Sequence, residues 1–181
     1  MRILGISGSA RQDSHNTKLL RAAATALPAG AELVEWNGLA ALPIFDEDLE
    51  AVRPDVVAEL HEAIAAADAV LVATPEYNQS IPGGLKNALD WASRPYATNP
   101  LRDKPALVMG ASTGLFGAVW AQAEARKVLA ATGARVLEHE FGVGLADGAF
   151  AEDGTLLDTE LTDRLGRALE ELATARVLVP A

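Results

Sequence analysis

Short apolar runs and amphipathic stretches alternate along this chain. Arg2-Ile3-Leu4-Gly5-Ile6 opens it as a buried strand, and Leu19, Leu20, Ala23 and Leu27 mark one face of a following helix. Glu32-Leu33-Val34-Glu35-Trp36 alternates as a second strand. A Pro-containing stretch, Leu42 to Asp48, leads to a second amphipathic helix carrying Val56, Val57, Leu60 and Ile64. Ala69 to Thr74 is a continuous β-branched and apolar run, the pattern of a central parallel strand. Pro82-Gly83-Gly84 opens a third helix, predicted over Leu85 to Ser93 with Leu85, Ala88, Leu89 and Ala92 inward; a proline at an early helical position fits this start. Pro105 to Gly110 reads as a fourth strand. The loop Ala111 to Gly117 precedes a helix running to about Thr132, which Gly133 ends. Arg135-Val136-Leu137 is a fifth strand. A Gly- and Asp-containing loop, Gly142 to Gly154, leads to a last helix with Leu161, Leu165, Leu169 and Leu172 on one face.

Five strands alternating with helices predict an α/β fold: a five-stranded parallel sheet covered by helices on both faces. The flavodoxin-like three-layer arrangement, order 2-1-3-4-5, suits this count, and the length of 181 residues predicts one domain over 1–181. Half the residues are apolar, enough for a sizeable core. No apolar run approaches the roughly 20 residues that cross a bilayer, and the charged Arg2 followed by a polar loop does not read as a signal peptide. The absence of cysteine removes disulfides, thiolate metal sites and Cys nucleophiles, and is compatible with the cytoplasm. A net charge of -10 argues against nucleic acid or an anionic membrane as partner.

The candidate chemistry lies in the loops after strands one, three and four. The first, Ser7 to Thr17, is dense in hydroxyls and small residues and carries Arg11. Free N–H groups at a helix N-terminus attract an anion; Ser9, Ser14, Thr17 and Asn16 can add side-chain donors, and Arg11 a bidentate clamp. The same residues also suit an ordinary strand-to-helix turn with Ser14 or Asn16 as N-cap. Neither G-x-x-x-x-G-K-[ST] nor G-x-G-x-x-G is present, which sets aside the P-loop nucleotidases and the usual dinucleotide fingerprint. In the predicted topology this loop meets Pro75 to Ser80 and Ala111 to Gly117 at the carboxyl ends of the strands, where open α/β sheets bind ligands.

At these residues the chain resembles a known family. Gly8-Ser9-Ala10-Arg11-Gln12-Asp13-Ser14-His15-Asn16 is similar to the GSxRxxSxN phosphate loop of the NADPH-dependent FMN reductases, which include quinone, chromate and azo-dye reductases. Leu42 to Asp48 resembles their LPxFDED segment, Pro75-Glu76-Tyr77-Asn78 their PEYN flavin loop, and Ile81 to Trp91 their IPGxLKNAxDW helix start. The resemblance implies that Ser9, Arg11, Ser14 and Asn16 hold the FMN phosphate, with His15 and Thr17 beside them. It implies that Pro75, Glu76, Tyr77 and Asn78 line the flavin ring, and that Ser112 and Gly114 approach it from the fourth-strand loop. It also implies a homodimer or homotetramer and NADPH or NADH as cosubstrate. Many members read GGxRAQ where this chain has Gly117-Ala118-Val119-Trp120-Ala121-Gln122, so any role of the missing Arg does not carry over.

The reading that follows is a cytoplasmic NAD(P)H oxidoreductase in which flavin carries hydride to a quinone or similar small acceptor, with no dedicated catalytic side chain. A flavodoxin-type electron carrier or a flavin-binding regulator is the alternative. Taken alone, Tyr77 reads equally as a rim packing residue, and Glu76 and Asn78 as turn formers. Asp46, Glu47 and Asp48 read as a solvated charge run, Lys86 and Asp90 as a surface pair, and Trp91 and Trp120 as core or interface aromatics. His15, His61 and His139 lack metal-ligand spacing, and no metal is expected.

Overall fold

The computed structural model describes residues 1–175. Its sheet is built outward from β3 (Ala69–Thr74), all six residues of which are buried. With apolar or β-branched side chains at nearly every position, neither face of this strand suits water, so it needs layers on both sides. β1 (Arg2–Ser7) pairs parallel along one side, from Ile3 opposite Ala69 to Ser7 opposite Ala73. β4 (Pro105–Ala111) pairs along the other, from Val70 opposite Ala106 to Thr74 opposite Gly110. β2 (Glu32–Trp36) lies outside β1, and β5 (Arg135–Val136) outside β4. The order β2-β1-β3-β4-β5 is the flavodoxin-like one expected.

A sixth strand departs from the expectation. β6 (Phe141–Val143) pairs parallel with β4, from Met109 opposite Phe141 to Ala111 opposite Val143, whereas β5 faces only Pro105 and Ala106. The two short strands therefore follow one another along the same side of β4 and leave that edge interrupted at 137–140. The predicted fifth strand is shorter than expected, although the Leu137 N–H still donates to the Ala106 carbonyl at 2.8 Å. Gly142, expected in a loop, is paired within the sheet. Three residues centred on glycine carry no alternation for a pattern to register.

Alternation along the central strands divides the core in two. Leu4, Ile6, Val70, Val72, Ala106 and Val108 pack toward α2 (Asp55–Ala66), α3 (Gly83–Ala92) and α4 (Val119–Ala131). Ile3, Leu71, Leu107 and Met109 pack with Phe141 and Val143 against α1 (His15–Thr25) and α5 (Thr159–Ala175). α1 stops before Leu27, which packs partly buried beyond it. α3 begins two residues earlier than expected, and Pro82 is its N-cap residue rather than part of the helix. Gly133, at φ 91°, follows the C-cap of α4.

α3 also organises the segment before α2. Asn87 donates to the Pro43 carbonyl at 2.8 Å and accepts from the Phe45 N–H at 2.8 Å, while buried Trp91 donates to the same carbonyl at 2.9 Å. Phe45 meets the Trp91 ring edge-on at 4.9 Å. Asp46 then caps a 3-10 turn at Glu47–Leu49, its carboxylate accepting from the Asp48 N–H, so the acidic run is a turn start. Among the described residues no group of three or more His, Asp or Glu side chains could hold a metal ion. No described helix is long and apolar enough to cross a membrane.

Candidate functional site

A cleft of about 280 Å³ opens where the carboxyl ends of β1, β3 and β4 meet. Ser9, Arg11, Ser14, His15 and Asn16 form one wall. Pro75, Glu76 and Tyr77 form the second, and Ala111, Ser112 and Thr113 the third; Asp147 closes the end. The three loops singled out in the sequence thus converge on one cavity, beside the switch point between β1 and β3.

The first wall is held by its own hydroxyls. Ser14 is the N-cap of α1, its hydroxyl oxygen accepting from the Asn16 N–H at 3.1 Å. That leaves the Ser14 hydroxyl hydrogen for another acceptor, at the positive end of the helix dipole. Thr17 points elsewhere: its hydroxyl donates to Ser7 Oγ at 3.2 Å, an oxygen that also accepts from the Ser9 N–H, so Thr17 knits the loop and does not line the cleft. Asn16 also differs from expectation. It is buried, its Nδ2 donates to the Ala111 carbonyl and its Oδ1 accepts from the Ala111 N–H, both at 2.9 Å. The amide expected to face an anion instead staples α1 to the end of β4. Lys18 adds no charge to this wall, because Asp13 binds it at 2.8 Å; that ammonium holds the Asp13 carboxyl below its usual range.

The second wall is a tight hairpin. Tyr77 and Ser80 exchange backbone hydrogen bonds of 3.1 Å, with Asn78 and Gln79 at φ 53° and 61° between them. Two consecutive left-handed residues make a type I′ turn, a conformation asparagine tolerates. Asn78 is therefore a turn former and stands off the cleft, while Tyr77 is exposed at its rim. Glu76 reaches the other way. Its carboxylate accepts from the Trp120 and Ala121 N–H groups, both at 3.0 Å, and so caps α4 from a distant loop. The local N-cap, Ala118, lies in the left-handed region at φ 63° and has no side chain able to do this. Glycine, which many members of the resembling family carry here, has no such strain.

The third wall is zipped to the chain after β6. Ser112 N–H donates to the Val143 carbonyl, Ala146 N–H to the Ser112 carbonyl, and Leu145 N–H to the Gly114 carbonyl. Gly114 N–H returns to Ser112 Oγ at 3.1 Å. Gly114 is consumed in this zipper and does not line the cleft. The same zipper delivers Asp147, on a 3-10 turn at Ala146–Gly148, to His15: Nε2 and Oδ1 are 3.0 Å apart. Ala111 and Thr113 lie in a loop the sequence singled out but were not named as site residues, and Asp147 lies outside every predicted loop of the site. Asp147 is 132 residues from His15, and nothing local announces the pairing.

A model of the NADPH-dependent FMN reductases matches residues 1–148. The chain belongs to that family. An NAD(P)H-dependent FMN reductase of Pseudomonas aeruginosa is 40% identical over 174 residues, covering 95% of this chain and 93% of that protein. A quinone reductase of Escherichia coli is 34% identical over 169 residues, covering 91% and 89%. Among solved structures, the flavoenzyme NAD(P)H:(acceptor) oxidoreductase of Paracoccus denitrificans superposes with a TM-score of 0.88 at 34% identity, over 97% of both chains. This member of the FMN reductase family is accordingly an FMN-dependent NAD(P)H oxidoreductase. Where many members read GGxRAQ, this chain carries Ala118 and an exposed Trp120.

Proposed function

We propose that this oxidoreductase reduces quinones or similar small acceptors, with FMN seated in the cleft at the β1/β3 switch point. The convergence of the α1 N-terminus, Ser9, Ser14 and Arg11 in one cavity carries the reading, because it is a donor set suited to a phosphate dianion. When bound, FMN supplies the hydride chemistry between nicotinamide and acceptor. The chain's part is binding and orientation. Ser9, Arg11 and Ser14 hold the phosphate; Pro75, Glu76 and Tyr77 line one side of the ring, and Ser112 and Thr113 the other. Asn16 acts by fixing the distance between α1 and β4. No side chain is assigned a proton-transfer step. The relative in E. coli that reduces quinones supports the acceptor class.

The reading extends to one domain over 1–181, to the cytoplasm, where a nicotinamide reductant is available, and to a homodimer or homotetramer. Phe116 and Trp120, which meet edge-on at 5.4 Å, are 63% and 46% exposed at the start of α4, an apolar surface suited to a second copy. Light scattering of the purified protein should give a mass of two or four chains; a monomer at working concentration would reject this part. The function is tested by the visible spectrum, recorded anaerobically before and after NADPH or NADH. A flavin spectrum should bleach on reduction and recover when a quinone is added. A flavin spectrum that neither nicotinamide changes would favour an electron carrier, and a protein that cannot be loaded with FMN would overturn the reading.

A further inference from the structure

Leu145 stands where a leucine is unfavourable on two counts. It is the N-cap of the 3-10 turn that carries Asp147, and its backbone lies in the left-handed region at φ 49°. A Cβ strains that conformation; glycine adopts it freely, and asparagine tolerates it best of the rest. Among the described residues Leu145 is the one large apolar side chain on such a backbone. Burial does not offset the strain, because Leu145 is 63% exposed. Leu115, 68% exposed, lies beside it. The Leu145 N–H donates to the Gly114 carbonyl at 3.0 Å, and a Cβ at Gly144 would collide with the Leu115 carbonyl oxygen. Neither leucine lines the cleft, yet each is two residues from one that does, Thr113 and Asp147. The cleft itself is lined mainly by polar side chains. The apolar part of an acceptor therefore has little to meet inside it and two leucines to meet at its edge. Strained residues and exposed apolar groups of this kind mark binding sites. Phe116 and Trp120 pair with one another at the start of α4, whereas Leu115 and Leu145 lie on the segments that form the cleft wall. The net charge of -10 disfavours an anionic membrane surface as the occupant, so a neutral small molecule suits the leucines better.

We infer that Leu115 and Leu145 form an apolar shelf beside the cleft that takes the hydrocarbon side chain of a quinone acceptor. This inference rests on quinone reduction at the cleft, as proposed above. A flexible hydrocarbon chain needs contact area rather than directed partners, and two branched side chains at the rim supply it. The shelf holds that chain equally well before and during electron transfer, so it lowers KM and leaves kcat unchanged. Asparagine or glycine at 145 would relieve the backbone but offer the hydrocarbon nothing.

The test is steady-state reduction of two quinones that share one ring, dimethoxy-methyl-benzoquinone and its decyl-substituted homologue, by the FMN-loaded protein. In the wild type the decyl homologue should show a kcat/KM about tenfold higher, carried by KM, as burial of a few methylene groups provides. In Leu145→Asn that ratio should fall to about threefold or less, and Leu115→Ser should lower it too. Thermal melting should show Leu145→Asn to be as stable as the wild type or more so, because the left-handed strain is eased. Equal kcat/KM for the two quinones in the wild type would overturn the inference and leave quinone reduction standing. So would an unchanged ratio in Leu145→Asn. A lower Tm in Leu145→Asn would make Leu145 a packing residue, and a smaller mass by light scattering would show that a second copy covers the shelf; either result overturns the inference. If neither quinone were reduced, the functional reading itself would fall, and the shelf with it.

Discussion

Asn16 shows how one side chain can brace a cleft by pairing with the backbone of a neighbouring strand. Its amide matches the donor and acceptor of the Ala111 backbone, so two buried polar groups are satisfied at a stroke. Asn16→Ala would leave the Ala111 N–H and carbonyl unpaired inside the protein. A cost of about 2–4 kcal/mol follows, or roughly 10 °C in Tm for a domain of this size, measured by thermal melting of the flavin-free protein. Asn16→Asp should be no better, since its carboxylate would face the Ala111 carbonyl. In the sequence Asn16 was legible as part of a cradle and as a possible cap, but its true partner lies 95 positions away. Ser14 was readable as an N-cap because capping is local. Glu76 was expected to line the flavin ring or, taken alone, to form a turn, and its role as the cap of α4 depends on how β3 and β4 sit side by side.

The elements themselves were the most legible part of the chain. β3 was bounded correctly because six consecutive apolar or β-branched residues say the same thing, and α5 was legible as a helix because its leucines keep one face. β6 was missed because its three residues gain their structure from pairing with β4 rather than from any pattern of their own. Its position matters, since the zipper that follows it shapes the third wall of the cleft. Gly117 is a tight point of that arrangement. At φ 58° it favours glycine, and a Cβ there would come within 2.7 Å of the Gly142 backbone. Gly117→Ala should therefore destabilise the protein by more than about 2 kcal/mol and push the Ser112 loop off the β6 chain. Urea unfolding would read the first effect and a weaker FMN Kd the second. A variant as stable as the wild type would show that the loop adjusts freely.

For the molecule as a whole, a residue remote from the cleft gives folding a pH dependence just below neutrality. His61 is buried between α2 and α3, its Nε2 donating to the Trp91 carbonyl at 2.8 Å. Burial lowers its pKa below the usual histidine value; the Trp91 bond opposes this, and Arg53 adds to it. The unfolded chain thus takes up a proton before the folded one does. The stability is fully present above the ordinary value of about 6.5 and is lost as pH falls through the lower folded value. Tm should drop between about pH 7 and 5, and His61→Gln should flatten that slope. An identical slope in the variant would assign the effect to other groups.

The interrupted edge beyond β4 has a consequence for how copies of the chain behave when crowded. An open parallel sheet ends in strands whose free backbone groups can recruit a strand from another molecule. Here that border offers only two residues at β5 and three at β6, separated by a break. Neither piece gives an incoming strand enough consecutive partners to hold a register, so this side of the sheet resists fibril growth and strand exchange.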